Sequence, residues 1–271
     1  MVSREVITPR NGQLDLPRTL NRPCSVGIKA GGLIFLSGMV AVDPETGERM
    51  HGTVASETRQ ILANMAEVLA AAGASLKDAV KINVFLYDML EFDNLNRAYR
   101  PFFPEAPPAR NVCGAALHSG MKVEMECIAL AGAPERSALP RRIVEPNNPM
   151  LNNSRRHNRP HSPGIRIGDL LFISGMVPLD PATGESRLGP TAEQTHLVFS
   201  NMAHLLESAG TSLARVIKLN VSLANMLEAD TFYRVMRGFF PEAPPACTVV
   251  GMQLSNGHGV EIECVALADD A

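Results

Sequence analysis

The stretch Pro104–Leu130 reads PEAPPARNVCGAALHSGMKVEMECIAL, and it returns without a gap at Pro241–Leu267 as PEAPPACTVVGMQLSNGHGVEIECVAL. The two copies differ where chemistry would be expected. The first has Arg110 after its Pro-Pro-Ala, and the second has Cys247. An arginine leaving a Pro-flanked turn, with the carboxylate Glu124 fourteen residues later on a strand, suits an anionic ligand. The plainer reading of Arg110 is a surface residue capping a turn.

Working outward, the same spacing of 137 residues (241 against 104) relates the rest of the chain. LIFLSGMVAVDPETGE at 33–48 returns as LLFISGMVPLDPATGE at 170–185. NMAEVLAAAGASL at 64–76 returns as NMAHLLESAGTSL, and KINVFLYDMLEFD at 81–93 as KLNVSLANMLEAD. One offset throughout means one structural unit written twice, too few for a solenoid. The expected organisation is a first domain over 1–133, a linker over 134–142 and a second domain over 143–271.

Within a unit, Leu33–Ser37 is an apolar run suited to a buried strand, and Asp43–Gly47 carries hairpin turn chemistry. Thr53 to Ala72 is helical, with Ile61, Met65, Val68 and Leu69 on one face and Gly73 as terminator. Ala79–Tyr87 reads as a strand and Phe92–Phe102 as a short helix stopped by Pro104. Strands follow at Asn111–Leu117 and Met121–Ala131, joined at His118–Gly120. The fold class is therefore α+β: two tandem β-β-α-β-α-β-β domains with helices on one face of a mixed sheet. The open face of such a layer calls for a partner.

Composition narrows the partners. The chain has 271 residues, 45% of them hydrophobic, and a net charge of −3, so it offers nucleic acid or an anionic membrane no overall attraction. The only basic cluster, Arg141, Arg142, Arg155, Arg156 and Arg159, reads as a solvated segment. Five cysteines without a CxxC indicate neither a disulfide framework nor a zinc site. No apolar run approaches the roughly eighteen residues of a membrane span, and no signal peptide is evident. A soluble cytoplasmic protein without membrane or nucleic-acid partners is expected.

Together these motifs resemble the RidA (YjgF) family of enamine/imine deaminases. The carriers are Ser-Gly-Met with its Asp-Pro-x-Thr-Gly-Glu hairpin, the Asn-Met helix and Lys-x-Asn-Val on a strand. Most specific is PPAR followed by VEMECIAL. The resemblance implies a chorismate-mutase-like fold, with three sheets closing a barrel and ligand clefts between adjacent domains. For two domains per chain it implies a homotrimer of six domains. It also implies hydrolysis of a carboxylate-bearing imine or enamine to a keto acid and ammonia, with no cofactor and no metal. Arg110 would hold the substrate carboxylate and Glu124 would activate water. Ser37, Gly38, Asn96 and Cys24 would line the cleft.

Departures from the family pattern matter as much. Its lead-in tyrosine is replaced by Cys24 and by His161, and its Cys or Thr two places after the arginine by Val112 and Val249. Asn96 corresponds to Tyr233. His161, Ser174, Cys247 and Glu261 are candidates for a second cleft, and the Arg110 site would borrow His161 or Ser174 if unlike units are neighbours. Glu124 and Glu126 share one strand face about 7 Å apart, as do Glu261 and Glu263, so one of each pair has a structural reading. Cys247 is either a nucleophile or a small buried residue. His161 is either an acid–base group or a packed turn residue. Two further readings stay open: a pathway-specific deaminase or hydrolase of a larger, aminomuconate-like unsaturated amino acid, and a ligand-binding module without turnover.

Overall fold

A computed structural model describes residues 4–132 and 140–268. The expected linker over 134–142 lies largely outside the described residues. The first repeat carries β1 (Arg4–Val6), α1 (Leu16–Thr19), β2 (Gly27–Ala30), β3 (Leu33–Met39), α2 (Val54–Ala71), β4 (Ala79–Leu86), α3 (Phe92–Tyr99), β5 (Ala109–Gly114) and β6 (Val123–Leu130). The second carries β7 (Arg141–Val144), α4 (Asn153–Arg156), β8 (Gly164–Ile167), β9 (Leu170–Ile173), α5 (Thr191–Ser208), β10 (Val216–Leu223), α6 (Ala229–Phe239), β11 (Ala246–Gly251) and β12 (Val260–Leu267). Among the described residues these form two six-stranded sheets, ordered β1-β2-β3-β6-β4-β5 and β11-β10-β12-β9-β8-β7. The second is mixed: β10 pairs parallel with β11 and antiparallel with β12. The α+β architecture is the expected one.

The hairpin is placed differently from the expectation. β2 and β3 pair across Gly31-Gly32, both at positive φ, which glycine adopts without strain. The Asp-Pro-x-Thr-Gly stretch closes only single bridges, Val42 to Arg49 and Leu179 to Ser186. Its turn is built by Asp43, whose carboxylate accepts the Glu45 and Thr46 amides.

Side chains shared by both repeats fix these loops. Asn64 of α2 donates to the Val42 carbonyl at 2.8 Å, and Asn201 of α5 donates to Leu179 at 2.7 Å. Thus the Asn of the Asn-Met motif ties the long helix to the loop after β3 or β9. Glu57 of α2 accepts the amides of Lys122 and Val123 at 2.8 and 3.1 Å, anchoring the start of β6. Gln194 does the same for Gly259 before β12. Apolar faces of α2 and α5 (Ile61, Met65 and Leu69; Val198, Met202 and Leu205) lie buried. In the second repeat Phe199, Phe232 and Phe240 stack between helices and sheet.

Packing divides the described chain into two compact units with an uneven boundary. One holds Met1–Pro108 and Ala115–Arg141, and the other holds Ala109–Gly114 with Arg142–Ala271. Strand β5, which carries Arg110, belongs to the second unit. Among the described residues no helix is long and apolar enough to cross a membrane, and no group of three or more His, Cys, Asp or Glu could hold a metal.

Two stability predictions follow from this packing. Asn201→Ala strands the buried Leu179 carbonyl and should cost about 1–3 kcal/mol in urea unfolding, with the Asp180 loop becoming protease-sensitive. His258 is 2% exposed and sits against the Ser186 hydroxyl at 2.9 Å. Burial, aided by Arg159, pushes its pKa down from 6.5 to about 4. The unfolded chain therefore takes up a proton that the folded chain refuses. Its contribution is complete above pH 6.5 and drains away as pH falls towards 4, by up to about 1.4 kcal/mol per pH unit. Unfolding measured at pH 7 and pH 5 should show this loss, and His258→Gln should reduce it.

Candidate active site

The site grows from the backbone of β5. In the second unit, Ala109 bridges in parallel to Ser162, and the Arg110 amide donates to Ser174 Oγ at 2.8 Å. The Gly175 amide donates to the Arg110 carbonyl at 3.0 Å. Ser174 in turn donates its hydroxyl proton to the Ser162 carbonyl at 2.6 Å, which orients its lone pairs towards Arg110. At the far end of β5 the Gly114 amide donates to the Gln253 carbonyl at 2.8 Å. The strand is thus held at both ends, and Arg110 is 3% exposed.

Gly175 is the meeting point. A Cβ there would stand 2.1 Å from Glu261 Oε1 and 2.4 Å from Asn111 Oδ1, so the glycine makes room for both side chains. Glu261 and its neighbour Glu263 are buried. Glu263 accepts from Asn220 at 2.8 Å, as Glu126 accepts from Asn83 at the same distance in the first repeat. The second glutamate of each pair is therefore a cross-strand partner of the Lys-x-Asn-Val asparagine. The first glutamate of each pair, Glu124 or Glu261, lies instead against the Ser-Gly-Met glycine, Gly38 or Gly175. Beyond Ser174 and Gly175 a hollow runs past Met176 to Leu179 and Asn201, with His161 in its wall.

Expected residues separate accordingly. His161, Ser174 and Glu261 lie in the compact unit that contains Arg110, while Glu124, Ser37, Gly38, Cys24 and Asn96 lie in the other. Glu124 leans over Gly38, as Glu261 does over Gly175. Burial and repulsion from Glu126 hold its carboxyl above the usual range, with Arg22 and His118 opposing. Ser37 donates to the Ser25 carbonyl at 2.7 Å, matching the Ser174–Ser162 bond. An open groove there is lined by Arg22, Cys24, Ser25 and Ser37. Asn96 is buried within α3, whereas its counterpart Tyr233 is half-exposed. Cys247 is half-buried on β11, where burial raises its thiol despite Lys218. Three participants escaped the sequence reading: Asn111, Ser162 and Gln253. Ser162 was within reach, because Arg-Pro-x-Ser stands at the same offset in both repeats.

Comparison with known proteins shows which family the chain belongs to. The family model described as endoribonuclease L-PSP matches twice, over residues 17–131 and 153–268. RutC family protein PH0854 of Pyrococcus horikoshii is 39% identical over 127 residues, covering 46% of this chain and 97% of the relative. Reactive Intermediate Deaminase A, chloroplastic, of Arabidopsis thaliana is 40% identical over 47% of this chain and 66% of its own length. The 2-iminobutanoate/2-iminopropanoate deaminase of Mus musculus is 39% identical over 41% of this chain and 82% of its own length. Each relative spans about one repeat. With two family domains in tandem, the chain belongs to the endoribonuclease L-PSP family, the RidA/YjgF proteins.

Proposed function

We propose that the protein hydrolyses a carboxylate-bearing imine or enamine to a keto acid and ammonia, at the site where Arg110 meets the second unit. The observation that carries this reading is the convergence at Gly175 of a buried arginine strand and a buried carboxylate, Glu261. The names of relatives from Arabidopsis and mouse, both deaminases, support the reaction class.

The Arg110 guanidinium takes the substrate carboxylate in two parallel hydrogen bonds, stronger here than in water because the residue is buried. Ser174 and Gly175 fix the strand, so the clamp does not swing and the C=N carbon keeps one orientation. Glu261 accepts a proton from water as its oxygen attacks that carbon and passes it to the nitrogen, giving a neutral carbinolamine. Glu261 then takes the carbinolamine hydroxyl proton and delivers it to the amine. The C–N bond breaks, ammonia leaves and the carbonyl forms. Water enters, ammonia departs, and no electrons change hands. Glu261 takes this role in the proposal because it shares a compact unit with Arg110, whereas Glu124, the carboxylate expected from the sequence, lies in the other.

A larger unsaturated amino acid is the second reading. The hollow beyond Ser174 favours it, since His161 stands there in place of the family's bulkier tyrosine and leaves room for a longer side chain.

The test generates imines in place with an amino-acid oxidase and traps the remainder with semicarbazide. Wild-type protein should lower trapping. Arg110→Ala and Glu261→Gln should each lose about 100-fold or more in turnover, and Glu261→Gln far more than Glu124→Gln. Turnover lost in Glu124→Gln but kept in Glu261→Gln would return the site to the first unit. A wild type inactive on every imine would favour the binding-module reading.

A further inference from the structure

The basic cluster read from the sequence as a solvated segment divides at its first residue. Arg142 is exposed, as that reading expects, but Arg141 is half-buried. Its Nε donates to the Ala79 carbonyl at 2.9 Å. One terminal nitrogen donates to the Ala106 carbonyl at 2.9 Å and to the Pro107 carbonyl at 3.0 Å. Bonds from a charged donor are the stronger kind, and the planar guanidinium fork spans acceptors on separate segments. Burial pulls this guanidinium below its ordinary pKa, while Asp78 and Tyr99 oppose that pull.

These bonds join the two points where the chain leaves the first unit. It leaves after Pro108 for β5, and again after Arg141 for the rest of β7. In the second unit both exits lead to β8. β7 is the neighbour of β8 in the sheet, and Ala109 bridges Ser162 just ahead of it. Arg141 thus ties the turn before β5 to the start of β7, with the first residue of β4 as a third point.

The second repeat does not keep the groups that receive this side chain. At the same offset (215 against 78), Asp78 corresponds to Arg215 and Tyr99 to Met236. A guanidinium there would meet a like charge and a thioether. The receiving groups belong to the repeat that carries Arg110, and the repeat that carries Cys247 has lost them.

We propose that Arg141 is a positioning residue for the Arg110 site, holding the Ala106–Pro107 turn so that β5 enters the second unit with the Arg110 amide on Ser174 Oγ. It acts through the backbone and touches no substrate. Without it the turn loses a charged donor at both carbonyls, and the strand that carries the carboxylate clamp opens more often. The effect on turnover rests on the proposed function, whereas the hold on β5 does not.

Hydrogen exchange read by mass spectrometry on the full chain tests that hold. In Arg141→Ala, amides over 109–114 should exchange about tenfold or more faster, while β10, β12 and α5 keep wild-type rates. Arg141→Lys, with the charge but not the fork, should fall between, and Arg142→Ala should match wild type. In the oxidase and semicarbazide assay, turnover should fall about tenfold or more in Arg141→Ala and recover in part in Arg141→Lys. If Arg141→Ala does not fold, Arg141→Lys carries both readings. Exchange over 109–114 that stays at the wild-type rate, or rises no more than exchange across β4 and β6, overturns the proposal. So does faster exchange with turnover unchanged, which would make Arg141 a structural tie alone. Exchange needs no substrate, so failure of this role and failure of the proposed reaction are read separately.

Discussion

The proposed chemistry depends on where the backbone of β5 is held. Two hydrogen bonds of that backbone, from the Arg110 amide to Ser174 Oγ and from the Gly175 amide to the Arg110 carbonyl, commit the strand to the second unit. Each such bond contributes only about 1 kcal/mol net. Their larger effect is on position, since they seat a strand encoded in the first repeat in the second compact unit, where Gly175 also lies against Glu261. Gly175 completes the constraint, because any larger residue would push Glu261 aside.

The repeats have diverged unevenly. Scaffold residues are duplicated faithfully: Asn64 with Asn201, Asn83 with Asn220, Ser37 with Ser174, Gly38 with Gly175. Candidate site residues are not: Arg110 corresponds to Cys247, Cys24 to His161 and Asn96 to Tyr233.

Much of the fold was legible because its determinants are local. Apolar spacing set α2 with Thr53 as its cap, and Gly73, at positive φ, ended it. The β2–β3 hairpin was missed, since Gly31-Gly32 is a weaker turn signal than Asp43-Pro44 and yet closes the longer pairing. In the site, Arg110 stood out by residue type and context. The carboxylate proposed to work with it did not, because Glu124 and Glu261 occupy equivalent positions and their sequences are nearly identical. Which one shares a compact unit with Arg110 depends on the outward amides of an edge strand, and side-chain patterns do not record where those point. Asn111 and Gln253 were hidden for the same reason: both act across a junction between segments far apart in the chain.

The most direct test exploits the two equivalent glycines. A methyl group at Gly38 displaces only the end of Glu124, and one at Gly175 the ends of Glu261 and Asn111, so the backbone can stay in place at both. Imine turnover should be compared between Gly175→Ala and Gly38→Ala, with circular dichroism confirming that both remain folded. If the Arg110 site works through Glu261, Gly175→Ala loses turnover by about tenfold or more beyond Gly38→Ala. Loss in Gly38→Ala, with Gly175→Ala still active, would contradict the account and assign the chemistry to Glu124.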